Sequence, residues 1–171
     1  MLYQTSIATP LGAMIAIADT QALHILRFED TPTLAAEITQ LQKQLHATLA
    51  TGSTPILAQI TDELMRYFAG TLTTFTTPVQ LHGTTFQQSV WAALQSIPYG
   101  TICSYTDVAT QIGNSFAVRA VGTANGANRL AIIVPCHRVI TANKKIGGYN
   151  GGVERKLYLL KLEESLRPKS K

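Results

Sequence analysis

The chain has 171 residues, 46% of them hydrophobic and only 14% charged, which allows one domain or two small ones and excludes a disordered chain. No apolar run reaches the length of a membrane helix, and two cysteines are too few for a disulfide scaffold. The net charge of +4 is uneven: residues 1–83 hold three basic against six acidic side chains, net −3, whereas residues 84–171 hold eleven against four, net +7. The asymmetry points to a polyanionic partner for the second half, or to a solubilising surface with a basic tail at Arg167, Lys169 and Lys171. Met1-Leu2-Tyr3-Gln4 has neither a basic nor an apolar leader character, so a soluble cytoplasmic protein is expected.

In chain order, the first 28 residues predict antiparallel strands around Ile7, Met14 to Ile17 and Leu23 to Leu26, with turns at Pro10-Leu11-Gly12 and Asp19-Thr20-Gln21. Leu34, Ile38, Leu41, Leu45 and Leu49 keep helical spacing, with Thr33 as N-cap and Gly52 as stop. Pro55 opens a second helix through Ile56, Ile60, Leu64 and Phe68 to Gly70. Residues 71–77, with five threonines, read as extended chain leading to Pro78 and Val79. This half carries no visible chemistry and reads as a scaffold of residues 1–83.

The second half, 84–171, opens with a helix capped by Thr85 that carries Phe86, Val90, Ala93, Leu94 and Ile97 and closes at Pro98-Tyr99-Gly100. Two short helices, about 105–112 and 116–127, flank Gly113-Asn114-Ser115, the outline of a helix-turn-helix. The apolar run 130–134 predicts a buried strand cut by Pro135, followed by Cys136-His137-Arg138 and Val139-Ile140. A glycine-rich loop, 147–152, precedes a last helix with stripes of Val153, Leu157, Leu160 and of Tyr158, Leu162, Leu166. The fold class expected is α/β (α+β): a small N-terminal α/β domain with antiparallel strands, then a mostly helical domain with the helix-turn-helix.

A reactive cysteine needs a base or a positive field to become a thiolate. Cys136 has His137 and Arg138 beside it, but adjacent strand residues face opposite ways, so direct cooperation requires a bend or a bridging water. Glu163 and Glu164 on the last helix are the candidates to orient the imidazole. Read alone, Pro-Cys-His favours an inert buried thiol over a nucleophile. Cys103, without a basic neighbour, reads as structural, and the scattered Cys and His positions give no metal-ligand spacing.

Pro135-Cys136-His137-Arg138-Val139 resembles the active-site motif of the O6-alkylguanine-DNA alkyltransferases, also called methylated-DNA–protein-cysteine methyltransferases. The resemblance extends to Phe86-Gln87-Gln88-Ser89-Val90-Trp91, Ile97-Pro98-Tyr99-Gly100, Ser104-Tyr105, Arg119-Ala120-Val121-Gly122, Asn128, Gly148-Tyr149-Asn150-Gly151-Gly152 and Glu154-Arg155-Lys156. In the N-terminal half it includes Tyr67-Phe68-Ala69-Gly70, so it covers nearly the whole chain.

The resemblance implies that Cys136 accepts the alkyl group in one irreversible step, with no cofactor. His137 would take the thiol proton through a water, Glu163 would hold the imidazole, and Tyr105 would donate its hydroxyl to N3 of the base. Asn128 would be a hinge between the recognition helix and the active-site turn. Arg119 would be a finger filling the space of a flipped-out nucleotide in the minor groove, with Tyr105, Thr106, Asn114 and Gly122 on the DNA. Val139, Tyr149 and Asn150 would line the substrate pocket. The implied partner is duplex DNA carrying O6-alkylguanine or O4-alkylthymine, with no membrane, no zinc and a monomeric protein. The alternative is an alkyltransferase-like damage-binding protein, whose members lack the acceptor cysteine. Three positions depart from the pattern: Arg129 stands where most relatives have proline, Asn150 replaces serine or alanine, and Ala131 replaces a proline of some relatives.

Overall fold

The computed structural model describes residues 1–166, so the basic tail at Arg167, Lys169 and Lys171 lies outside the described residues. The chain forms two compact units, Met1–Leu81 and His82–Lys171. No described helix is long and apolar enough to cross a membrane.

The first unit is a mixed α/β layer. Strands β1 (Leu2–Ile7), β2 (Met14–Ala18) and β3 (Leu23–Phe28) form the expected antiparallel meander, and β4 (Leu49–Thr51) adds parallel to β1, giving the order β3-β2-β1-β4. Helices α1 (Leu34–Leu45) and α2 (Pro55–Phe68) complete it. Leu2, Ile17, Ile25, Leu34 and Leu41 form one core cluster.

Helix α1 is shorter than its apolar spacing predicts. It ends at Leu45 because His46 turns left-handed at φ 48°, and Leu49 pairs with Leu2 in β4. The open edge of β1 needs backbone partners, and that demand overrides a side-chain spacing of four. Thr33 makes no side-chain cap either; its hydroxyl donates to Glu37, which also receives Arg27 at 2.8 and 3.1 Å.

Helix α2 starts where expected, with Thr54 accepting from the Leu57 amide and Pro55 in the first turn. The threonine stretch has a specific job. Glu63, 1% exposed on α2, accepts from the amides and hydroxyls of both Thr76 and Thr77 at 2.6–3.1 Å. Val79 then bridges to Leu23 of the sheet. Burial alone would raise the Glu63 carboxyl, but these hydrogen bonds hold it below its ordinary value.

The second unit is mostly helical. Helix α3 (Thr85–Gln95) is capped by Thr84, one residue before the expected Thr85. Thr84 has the extended backbone that a cap requires, and it forms a reciprocal capping box with Gln87. The strand β5 (Cys103–Ser104) leads into α4 (Tyr105–Gln111), itself boxed by Ser104 and Asp107. Gly113, at φ 79°, turns the chain toward α5 (Val118–Gly126), completing the helix-turn-helix. Trp91 fastens α3 to α5 through its indole N–H on the Ala124 carbonyl at 2.9 Å.

Two expectations fail here. Residues 130–134 form a buried, hydrogen-bonded turn, with Val134 N–H on Leu130 and Ile132 at φ 73°. Strand character resumes only at β6 (Val139–Ile140), parallel to β5. The final helix α6 (Val153–Leu166) does not bury the predicted stripes: Val153, Leu157 and Tyr158 are exposed, and its most buried residues are Lys156, Leu159 and Glu163.

Glu63→Ala would strand four donors that converge on one carboxylate. The variant should lose at least about 2 kcal/mol in urea denaturation. Unchanged stability would contradict the assigned role of Thr76 and Thr77.

Candidate functional site

The site begins with Asn128, 1% exposed at the end of the segment leaving α5. Its Oδ1 accepts from the Leu130 amide at 2.9 Å, and its Nδ2 donates to the Leu130 and Val134 carbonyls at 3.3 and 2.9 Å. These bonds replace a strand ladder with a turn, which is why an apolar run of strand length does not pair. The same Nδ2 lies 3.3 Å from the Cys136 Sγ, a donor aimed at the sulfur.

Pro135 then feeds a single 3-10 turn, Cys136–Arg138, that bends the backbone at the cysteine. The bend sends His137 and Arg138 toward α6. His137 Nε2 lies 2.7 Å from Glu163 Oε1, while Arg138 donates Nε to Oε2 and Nη2 to Oε1, each at 2.9 Å. Arg138 Nη1 also donates to the Ile97 carbonyl, and its guanidinium lies over the Tyr99 ring. The structure selects Glu163 over Glu164 as the residue that orients His137.

Burial alone would raise the Glu163 carboxyl, but His137 and Arg138 hold it at about 2. An ionised carboxylate only accepts, so His137 Nε2 carries the proton. Burial pushes the His137 pKa down, so the ring is neutral near pH 7. Its Nδ1 is therefore a lone pair, buried and without a protein hydrogen-bond partner. Cys136, in no disulfide and 5% exposed, follows Pro135 on the same turn.

Cys136 lies in a cavity of about 420 Å³ that also brings together Tyr105, Gly122, Tyr149 and Asn150. Burial and the nearby Cys136 raise the Tyr105 pKa, so its hydroxyl remains a donor at neutral pH. Gly147, at φ 71°, leaves room for that hydroxyl, since a Cβ there would sit 3.3 Å from it. Asn150 is fastened through its Nδ2 to the Gly126 carbonyl at 2.6 Å, tying the glycine loop to the end of α5.

A second, more open depression of about 490 Å³ follows α4 and α5 and includes Tyr105, Thr106, Arg119 and Gly122. Arg119 and Thr106 are exposed there. Asn114 is exposed on the joint and lines neither cavity, and Val139 is fully buried and does not line the Cys136 cavity.

Two further residues reach the site: Asn125 was not singled out in the sequence, and Lys156 was quoted only within the last-helix motif, without a role. Asn125, 5% exposed, lines the Cys136 cavity and donates to the Cys136 carbonyl at 3.3 Å. Its spacing of three from Asn128 was the available signal. Lys156 is fully buried and donates to the Val139 and Gly148 carbonyls at 2.6 and 3.1 Å, clamping the glycine loop to β6. Burial lowers its pKa to about 8, an effect that Cys136 opposes. Cys103 contrasts with Cys136: burial, with Asp107 adding to it, pushes its thiol up to about 11, as expected of a structural cysteine.

A buried cysteine, followed by a neutral histidine hydrogen-bonded to a buried carboxylate and carried beside a helix-turn-helix, defines a class of cysteine-site proteins with a helix-turn-helix architecture. The comparisons give the family. Residues 85–165 match the 6-O-methylguanine DNA methyltransferase, DNA binding domain, and residues 2–81 match its ribonuclease-like domain. The methylated-DNA–protein-cysteine methyltransferase of Salmonella typhimurium is 40% identical over 163 residues, 95% of each chain. That of Mycobacterium tuberculosis is 59% identical over 90 residues, a match spanning 53% of this chain and only 54% of the relative. The crystal structure of Mycobacterium tuberculosis O6-methylguanine methyltransferase in complex with DNA is similar over 97% of this chain and 95% of that one, with 41% identity and a TM-score of 0.84. The chain belongs to the 6-O-methylguanine DNA methyltransferase family.

The Glu163 carboxyl lies well below its ordinary value of 4.5, so folding releases its proton and its ion pairs add stability above pH 4.5. That contribution should be lost as pH falls toward 2. Urea denaturation of wild type and Glu163→Gln across this window should show their stability difference shrinking with acid. A difference that stays constant would contradict the assignment.

Proposed function

We propose that this chain repairs DNA by taking the alkyl group of O6-alkylguanine, and of O4-alkylthymine, from duplex DNA onto Cys136 in a single turnover. The observation that carries the reading is the neutral His137, held by Glu163 through Nε2 and presenting an unpartnered Nδ1, on the same turn as a cavity-lining Cys136.

His137 takes the thiol proton at Nδ1 through a bridging water, and the resulting thiolate is stabilised by the Asn128 amide. The Cys136 sulfur attacks the alkyl carbon. A carbon–sulfur bond forms, the carbon–O6 bond breaks, and its electron pair passes into the purine. Tyr105 supports the developing charge by donating its hydroxyl to N3 of the base. The thioether has no route back, so each molecule acts once.

The target atom is inside a base pair, so the base must leave the stack to reach this cavity. Arg119, exposed on α5 at the adjoining depression, fills the vacated space. Thr106, Asn114 and Gly122 support the duplex around it. Tyr149 and Asn150 form the wall of the base pocket, and Val139 supports its floor through the clamp to Lys156. Residues 84–171 do this work, and residues 1–83 act as scaffold. A thiol that must stay reduced fits a cytoplasmic location.

Incubation with duplex DNA containing O6-methylguanine should raise the intact mass by one methyl group, located on Cys136 and absent in Cys136→Ala. Tight binding with unchanged mass would instead indicate a damage-binding protein. Arg119→Ala should slow repair in duplex DNA at least about tenfold while sparing reaction with free O6-alkylguanine base. An equal loss on both substrates would overturn its role as the finger.

A further inference from the structure

Phe116 is 98% exposed, the most exposed of the large hydrophobic side chains in the described residues. It occupies the turn at 114–117, closed by the Ala117 amide on the Asn114 carbonyl at 3.0 Å, directly before α5. Arg119 follows three residues later, also exposed. We infer that Phe116 is a DNA-contacting residue that lays its ring against the sugar and base faces of the duplex beside the Arg119 finger. This rests on the repair reading above and extends it to a residue outside the motifs that identify the family.

Three observations select DNA as the occupant. No acidic residue lies between Asp107 and Glu154, while Arg119, Arg129, Lys144 and Lys145 fall in that stretch besides the buried Arg138 that Glu163 neutralises, so the chain around Phe116 favours a polyanion. The exposed residues nearest in sequence, Asn114, Ser115, Arg119 and Ala120, add no large apolar side chain. A protein partner would want a contiguous apolar patch, whereas a lone aromatic knob among small, polar and basic groups suits a groove. Apolar side chains set against base steps are also a general means of holding a bent or opened duplex.

The contact carries no charge, so it must leave the salt dependence of binding alone. The full chain is titrated against a labelled, undamaged duplex over a series of salt concentrations. Phe116→Ala should bind about tenfold more weakly with the same slope of affinity against salt, and Phe116→Trp should restore binding. Arg119→Ala, which removes a positive charge from the same surface, should flatten that slope. Reaction of Phe116→Ala with free O6-alkylguanine base should match wild type. Wild-type affinity in Phe116→Ala overturns the inference, and so does an equal loss with the free base, which would mean damage to the pocket. Loss of self-association with DNA binding intact also overturns it and assigns the ring to a second copy of the chain. A wild-type chain that binds no duplex overturns the repair reading itself.

Discussion

One buried carboxylate organises the second unit. Glu163 is 1% exposed and accepts from His137 and twice from Arg138. An unpaired charge there would be costly, so the ion commits all three side chains to one arrangement. Through it α6 is fixed to the turn that bears Cys136, and through the Arg138 bond to Ile97 the end of α3 is fixed as well. The same ion sets the histidine tautomer. Structure and chemistry therefore share a single electrostatic constraint.

The cysteine turn is built from polar atoms in an apolar setting. Asn128 satisfies backbone groups that a strand would have paired with a neighbour, and it frees the chain to bend at Pro135. Lys156 does the same for the glycine loop, spending its charge on two carbonyls. The first unit repeats the device. Glu63 gathers Thr76 and Thr77 so that the chain can return to the sheet at Val79. In each case a side chain supplies hydrogen bonds where regular structure would leave backbone groups unmet.

Some elements were legible because their signals are local. Pro55 starts α2 as read, and the meander follows its turn residues. The Cys-His pair and the two candidate glutamates were also visible, since residue chemistry is written in the chain. Elsewhere periodicity misled. Leu49 sits at helical spacing but completes a sheet edge, and Val153, Leu157 and Tyr158 of α6 are exposed, with Leu160 and Leu162 half-buried, because its inner face is taken by Lys156, Leu159 and Glu163. Asn125 was missed because its spacing of three from Asn128 does not by itself distinguish a cavity-lining amide from one on a helix surface.

The sequence by itself determined the fold class, the helix-turn-helix, the charge asymmetry and the adjacent Cys136-His137 pair, because propensity, turn chemistry and residue order are properties of short segments. Only the tertiary structure decided that 130–134 is a turn, that Arg138 shares the Glu163 carboxylate with His137, and that Asn125 shares a cavity with Cys136. Those outcomes depend on which buried polar groups satisfy one another, from a few residues away for Asn128 to some 25 for Glu163, and no apolar pattern records that.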